Sequence, residues 1–172
     1  MTSPAYRDAR PALFAIAVAA FVLDRITKIW IVSHLMVGQT INIITGVFRI
    51  SHVNNTGAAF SLFAEWSNPA RLRWGLEAFS ILAIIAVLAL LFTAGRRFTL
   101  STLAFALILG GAFGNLYDRI HLGYVTDFLE VHIGSYHWPD FNLADSCITI
   151  AACLLVLEIF KPQAETADPT KS

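Results

Sequence analysis

Residues 98–119, FTLSTLAFALILGGAFGNLYDR, decide how the chain is read. From Phe98 to Leu116 the stretch is apolar and long enough to cross a hydrocarbon layer, which takes about 20 helical residues because unpaired backbone groups are not tolerated there. Its last third is different. Gly110, Gly111 and Gly114 let another backbone approach closely, and Asn115, Asp118 and Arg119 place an amide and two opposite charges where a lipid-facing helix has no use for them. Such a segment spans a membrane and packs against something polar at one end.

Three more stretches are long and apolar enough to cross beside 98–116: 12–32, 76–92, the shortest, and 141–160. The whole chain agrees: 56% of its 172 residues are hydrophobic and 14% charged, against about 45–50% and 25% in soluble domains. Disorder and nucleic-acid binding are excluded, the latter also because twelve Lys and Arg balance twelve Asp and Glu. The first span follows Arg7 and Arg10 as a secretory leader would. No small-residue cleavage pattern follows it, and hydrophobicity resumes through Ile29–Val32, so the span is expected to be retained. Cys147 and Cys153, six residues apart in one apolar segment, fall on different helix faces and make neither a disulfide framework nor a zinc site.

An even number of spans puts both termini on one side. Arg7, Arg10, Arg96, Arg97, Lys161 and Lys171 all fall in the N-terminal segment, the short 93–97 connection and the tail, so these are placed in the cytoplasm. Connections 33–75 and 117–140 then face outward. In the first, Ile41 to Asn54 alternates apolar and polar residues around Thr45–Gly46, the pattern of a β-hairpin. The second carries Phe128, Leu129, Val131, Ile133, Tyr136 and Trp138 and reads as a short interfacial helix with aromatic anchors. The expected architecture is mainly α: four transmembrane helices with a small outer β-hairpin or cradle and a short interfacial helix. Residues 1–161 form one integral membrane domain, and 162–172 a disordered cytoplasmic tail.

An ionisable group at bilayer depth costs about 2.5–3.5 kcal/mol and needs a reason to be there. Asp24 and Lys28, four residues apart with the acid first, suit a structural ion pair on one helix face. Glu158, Glu77 and Glu65 read as interfacial charges. The outer ends concentrate the rest: Asp118–Arg119, Asp127 within Val125-Thr126-Asp127-Phe128, and Asp145 within Phe141-Asn142-Leu143-Ala144-Asp145. Asp127 and Asp145 can meet at the outer boundary of the bilayer. Two close carboxylates in a poorly polarisable setting cannot both ionise, so they share a proton and act as general base and general acid for peptide hydrolysis by water. The same acids could serve a proton relay, a metal or a helix cap. No serine elbow with a paired histidine is present. His121, His132 and His137 accompany Asp127 and Glu130 without helix-spaced ligands, so surface histidines and no metal are expected. A small proton-coupled transporter or channel built on Asp24, Lys28, Asp118 and Asp145 is the rival reading.

At these residues the chain resembles the lipoprotein signal peptidases, the signal peptidase II aspartic enzymes of bacterial inner membranes. Five blocks carry the resemblance in order: Asp24–Lys28, Asn55-Thr56-Gly57-Ala58-Ala59-Phe60-Ser61, Gly110 to Arg119, Val125–Phe128 and Phe141–Asp145. The resemblance implies catalytic Asp127 and Asp145, no cofactor, and a diacylglyceryl prolipoprotein as substrate, cut just before its lipidated cysteine. It also implies an outer β-cradle and periplasmic helix, a periplasmic active site, a monomer embedded in membrane lipid, and inhibition by the cyclic peptide globomycin. Asn55, Asn115 and Asn142 would bind substrate backbone or orient the aspartates, or simply end helices and turns. Asp118 lies in the matching block; Arg119 would pair with it or hold a substrate carbonyl, and Gly57 would take a positive φ.

Overall fold

The computed structural model describes residues 8–57 and 69–161. Ala58–Ser61 of the second block, Glu65, and the tail from 162 lie outside the described residues. Among the described residues, helices α1 (Arg10–His34), α2 (Pro69–Ala94), α3 (Leu100–Leu122) and α4 (Leu143–Ile159) and strands β1 (Thr40–Ile44), β2 (Phe48–Asn55), β3 (Val125–Ile133) and β4 (Tyr136–Phe141) follow in the order α1-β1-β2-α2-α3-β3-β4-α4. Local chemistry sets the helix ends. Thr99 and Thr102 form a reciprocal capping box that starts α3, and Asn142 and Asp145 form another that starts α4. Helix α3 runs past Leu116 because Tyr117, Asp118 and Arg119 are compatible with helix; it stops at Gly123, whose φ of 81° is left-handed.

The strands form one antiparallel sheet in the order β1-β2-β3-β4. The expected hairpin is its first half. Its second half corrects the interfacial helix expected over 128–138, for residues 125–133 and 136–141 are strands. Cavity-facing Val125, Asp127, Val131 and Ile133 share one parity of β3, and Gly134, with φ 62°, turns the chain so that Ile133 pairs with Tyr136. Aromatic residues on both sides of the turn hid that period of two. Strand β3 leaves α3 directly and β4 runs directly into α4, so the sheet is fixed to the ends of both helices. Ile31 of α1 and its C-cap residue Leu35 pack on Phe128 and hold the sheet from the other side.

The opposite end gathers the remaining connections. The Ala9 N–H donates to the Arg96 carbonyl at 3.2 Å, and the Ser101 N–H donates to Glu158 Oε2 at 3.2 Å. Glu158, beside Lys161, is a charge at that end as expected. Glu77 is buried instead, held by Arg73 at 2.9 Å. Around the bundle the usual distribution is inverted. Asp24, Lys28 and Asp118 are buried while Val18, Leu23, Ile29, Phe79, Leu82 and Ile159 are more than half exposed, the arrangement a lipid solvent selects. Among the described residues two helices, over Arg71–Ala94 and Leu100–Leu122, are long and apolar enough on their own to cross a membrane. Helix α1 carries three charges in its middle, and α4 has 17 residues.

Helix α3 touches both neighbours backbone to backbone. A methyl group on Gly110 would lie 2.5 Å from the Ala17 carbonyl oxygen of α1, and one on Gly111 2.5 Å from the Ala144 carbonyl oxygen of α4. Gly111→Ala is expected to push α3 from α4 at a cost of about 1–3 kcal/mol, lowering the Tm in detergent by several degrees. Gly75→Ala, in open space on α2, is the control and should leave the Tm unchanged or slightly raised.

Candidate active site

A lysine buried inside a helix bundle organises the site. Lys28 is 1% exposed, and its ammonium lies 2.9 Å from Asp24 and 3.0 Å from Asp118. Asp118 also pairs with Arg25 and accepts from the Thr126 N–H at 3.2 Å, while Asp24 accepts from the Ala144 N–H at 3.0 Å. Two cations and two anions cancel, and their remaining lone pairs reach α4 and β3. The expected Asp24–Lys28 pair is half of a larger cluster. Asp118, read from the sequence as a partner for Arg119, belongs to it instead.

Beside these two ion pairs, the Lys28 ammonium donates a hydrogen bond outward to Asn115 Oδ1 at 3.1 Å. With that oxygen committed, the Asn115 amide nitrogen donates to Asp145 Oδ1 at 2.8 Å. Asn142 uses both hydrogens of its amide, one on Asn115 Oδ1 at 3.1 Å and one on Asp127 Oδ1 at 2.7 Å. Its own oxygen accepts from the Asp145 N–H at 3.0 Å, and its N–H donates to Asp145 Oδ2 at 3.2 Å. Asp145 is thus a helix cap and an acid at the cavity together; the two readings are not alternatives. From β2, the Asn55 amide nitrogen donates to Asp127 Oδ2 at 2.8 Å, and the Gly57 N–H, at a φ of 95°, fixes the Asn55 oxygen at 2.8 Å.

Every oxygen of both aspartates therefore accepts from an amide or backbone N–H, and Asn142 links the two residues. Both line a cavity of about 760 Å³ with Asn55, Asn115 and Arg119 on the polar side and Val131, Ile133, Trp138 and Ile150 among its apolar walls. Arg119, one turn beyond Asn115, faces this cavity beside the charges of Asp145 and Asp127. Burial pushes the Asp127 carboxyl up to about 7; the Asn55 hydrogen bond opposes this, the Asp145 charge adds to it and Asn142 opposes again. Sequence reasoning gave repulsion between the carboxylates as the cause, and in the structure desolvation leads. It also overlooked Arg25 as an ion-pair partner and Lys28 as the anchor of Asn115. Charge balance among Asp24, Arg25, Lys28 and Asp118 was the available signal.

A profile of the family described as signal peptidase (SPase) II matches residues 16–161. The chain belongs to the signal peptidase II family. It is similar to the lipoprotein signal peptidase of Pseudomonas fluorescens strain Pf-5, 41% identical over 162 residues covering 94% of each chain. It is also similar to that of Solibacter usitatus, 37% identical over 164 residues, 94% of this chain and 98% of the relative. Among solved structures, a bacterial membrane enzyme determined by the in meso method superposes with a TM-score of 0.79 at 26% identity, covering 92% of this chain and 99% of that one. As a signal peptidase II the protein is a membrane peptidase, and the rival transporter reading is not supported.

Two outcomes are expected from this geometry. Lys28→Met leaves two buried carboxylates with one cation and should cost about 3–5 kcal/mol, read as a large fall in Tm in detergent. The folded chain keeps the Asp127 proton up to about pH 7 whereas the unfolded chain releases it near the ordinary carboxylate range, so stability falls as pH rises through that window. Asp127→Asn removes the titration but turns an amide NH2 toward the Asn55 or Asn142 donor, so its Tm should lie further below wild type at about pH 4 than at about pH 8, the difference being the pH-dependent part. Equal shifts at both would contradict a protonated Asp127.

Proposed function

We propose that this signal peptidase II removes the signal peptide from diacylglyceryl-modified prolipoproteins just before the lipidated cysteine, with Asp127 and Asp145 as its catalytic pair. The observation that carries this is the Asn142 bridge joining the two carboxylates at the wall of a largely apolar cavity. Asp127, with its carboxyl raised to about 7, holds the proton at rest, and Asp145 is the base. Asp145 takes a proton from water as its oxygen attacks the scissile carbonyl, and Asp127 gives its proton to the carbonyl oxygen. The tetrahedral diol collapses when a proton passes from Asp145 to the leaving nitrogen and Asp127 recovers the hydroxyl proton as the C–N bond breaks. The products are a new carboxyl terminus and a free amine, and no covalent intermediate forms.

Asn55, Asn115 and Asn142 hold the aspartates in position, with Gly57 orienting Asn55, while Asp118 anchors the site to Asp24 and Lys28. Arg119 offers its guanidinium to a substrate carbonyl in the cavity. The four helices span the bacterial inner membrane, with both termini cytoplasmic and the sheet at the periplasmic face. Arg96, Arg97 and Lys161 at the end opposite the sheet support that orientation. Acyl chains hold the substrate cysteine at the membrane surface, and a site where the sheet meets the helix ends lies at that depth. The enzyme works as a monomer among lipids, and globomycin, a cyclic peptide, competes for the same cavity.

Asp127→Asn and Asp145→Asn should each reduce cleavage of a diacylglyceryl precursor in detergent by about 10³-fold or more, measured by gel shift, while the protein stays folded. Undiminished turnover by either variant would refute the pair.

A further inference from the structure

The face of the sheet turned away from the cavity brings three ligand atoms together. Glu130 and His132 alternate with the cavity-facing Val131 on β3, and His137 of β4 pairs directly with His132 in register. Glu130 Oε1 lies 2.7 Å from His132 Nε2 and 3.5 Å from His137 Nε2, and all three atoms fall within 4.8 Å of one another. The two imidazoles stack with centroids 5.0 Å apart. A search for helix-spaced ligands passes over this set because its spacing belongs to strands: two residues along β3, then straight across to β4.

Arg49, opposite Glu130 in register on β2, sends Nη2 to 2.5 Å from His132 Nε2 and 2.7 Å from Glu130 Oε1. A guanidinium nitrogen can only donate, so His132 Nε2 receives it with its lone pair. Two lone pairs facing each other at 2.7 Å repel unless positive charge lies between them, and Arg49 supplies it. The guanidinium nitrogen occupies the place of a bridging cation.

We propose that Glu130, His132 and His137 form a binding site for a transition-metal ion of the Zn²⁺ class, filled when the Arg49 guanidinium swings away. Two imidazoles and one carboxylate suit Zn²⁺ and discriminate against Mg²⁺ and Ca²⁺, which take oxygen ligands. Zinc bonds of about 2.0–2.1 Å set tetrahedral ligands about 3.3 Å apart. The 3.5 Å Glu130–His137 separation already matches, and the 2.7 Å Glu130–His132 separation opens once Arg49 leaves. The Arg49 side chain is 32% exposed and has water to move into, whereas that of Glu130 is 9% exposed and stays. Asp140 Oδ2, 3.9 Å from His137 Nε2, is close enough to offer a fourth ligand; its Oδ1 is held by Ser51 Oγ at 2.8 Å. A bound ion would tie β3 to β4, whose other face carries Val131, Ile133, Tyr136 and Trp138 along the cavity. The site stands independently of the catalytic roles proposed for Asp127 and Asp145.

Calorimetric titration of the full, untagged chain in detergent with zinc chloride is the test, with magnesium chloride alongside. One Zn²⁺ per chain is expected, with His132→Ala and His137→Ala each weakening binding by about tenfold or more. His34→Ala, an exposed histidine on α1, should change nothing. Arg49→Gln should bind Zn²⁺ several-fold more tightly than wild type, because the competing cation is gone; a guanidinium that merely braced the strands would leave affinity equal or lower. Zn²⁺ but not Mg²⁺ should raise the wild-type Tm, a readout that stands even where a histidine variant fails to fold. Binding unaffected by the loss of His132 or His137, an Arg49→Gln variant no tighter than wild type, or no Zn²⁺ effect on the wild-type Tm would each overturn the proposal.

Discussion

The Lys28 ammonium, shut inside a helix bundle whose outer surface is hydrocarbon, constrains everything around it. A lone charge there is not sustainable, so Asp24 comes from the same helix, Asp118 from α3, and the third donor goes to Asn115. Satisfying Asp24 pulls in the backbone of α4 at Ala144, and satisfying Asp118 pulls in β3 at Thr126. Those two attachment points are one residue from Asp145 and one from Asp127. The ion cluster fixes the elements that carry the proposed catalytic pair, without either aspartate touching Lys28.

From this anchor the amide relay is directional. Lys28 can only donate, so Asn115 must present its oxygen inward and its nitrogen to Asp145; Asn142 is then turned to present nitrogen to Asp127. Asn55, oriented by the Gly57 N–H, closes the other side. The result is two acids held by amides in a setting dry enough to raise Asp127, yet lined with donors that favour a carboxylate.

Much of this was legible in the chain. The helices announced themselves because long apolar runs have no other stable form in lipid, and the charges within them stood out because they had to be explained. The five motif blocks carried the site residues, all of which line the cavity or join the network behind it. What was misread has one cause. In residues 128–138, adjacent Phe128 and Leu129 and the turn at Gly134 interrupt the alternation of cavity-facing Val131, Ile133, Tyr136 and Trp138 with Glu130, His132 and His137, and the aromatic content imitates an interfacial helix. The same error dispersed Glu130, His132 and His137, whose proximity exists only in strand register. The raised carboxyl of Asp127 depends on desolvation, which no spacing rule reports.

The proton proposed for Asp127 is open to direct observation. Infrared titration of the protein in detergent, with aspartate carboxyls isotopically labelled, follows the protonated carboxyl band as pH rises. A band that disappears with a midpoint near 7 in wild type and is missing from Asp127→Asn is the expected result. A band that persists unchanged in Asp127→Asn, or an enzyme with no carboxyl titrating above the ordinary aspartate range, would contradict it.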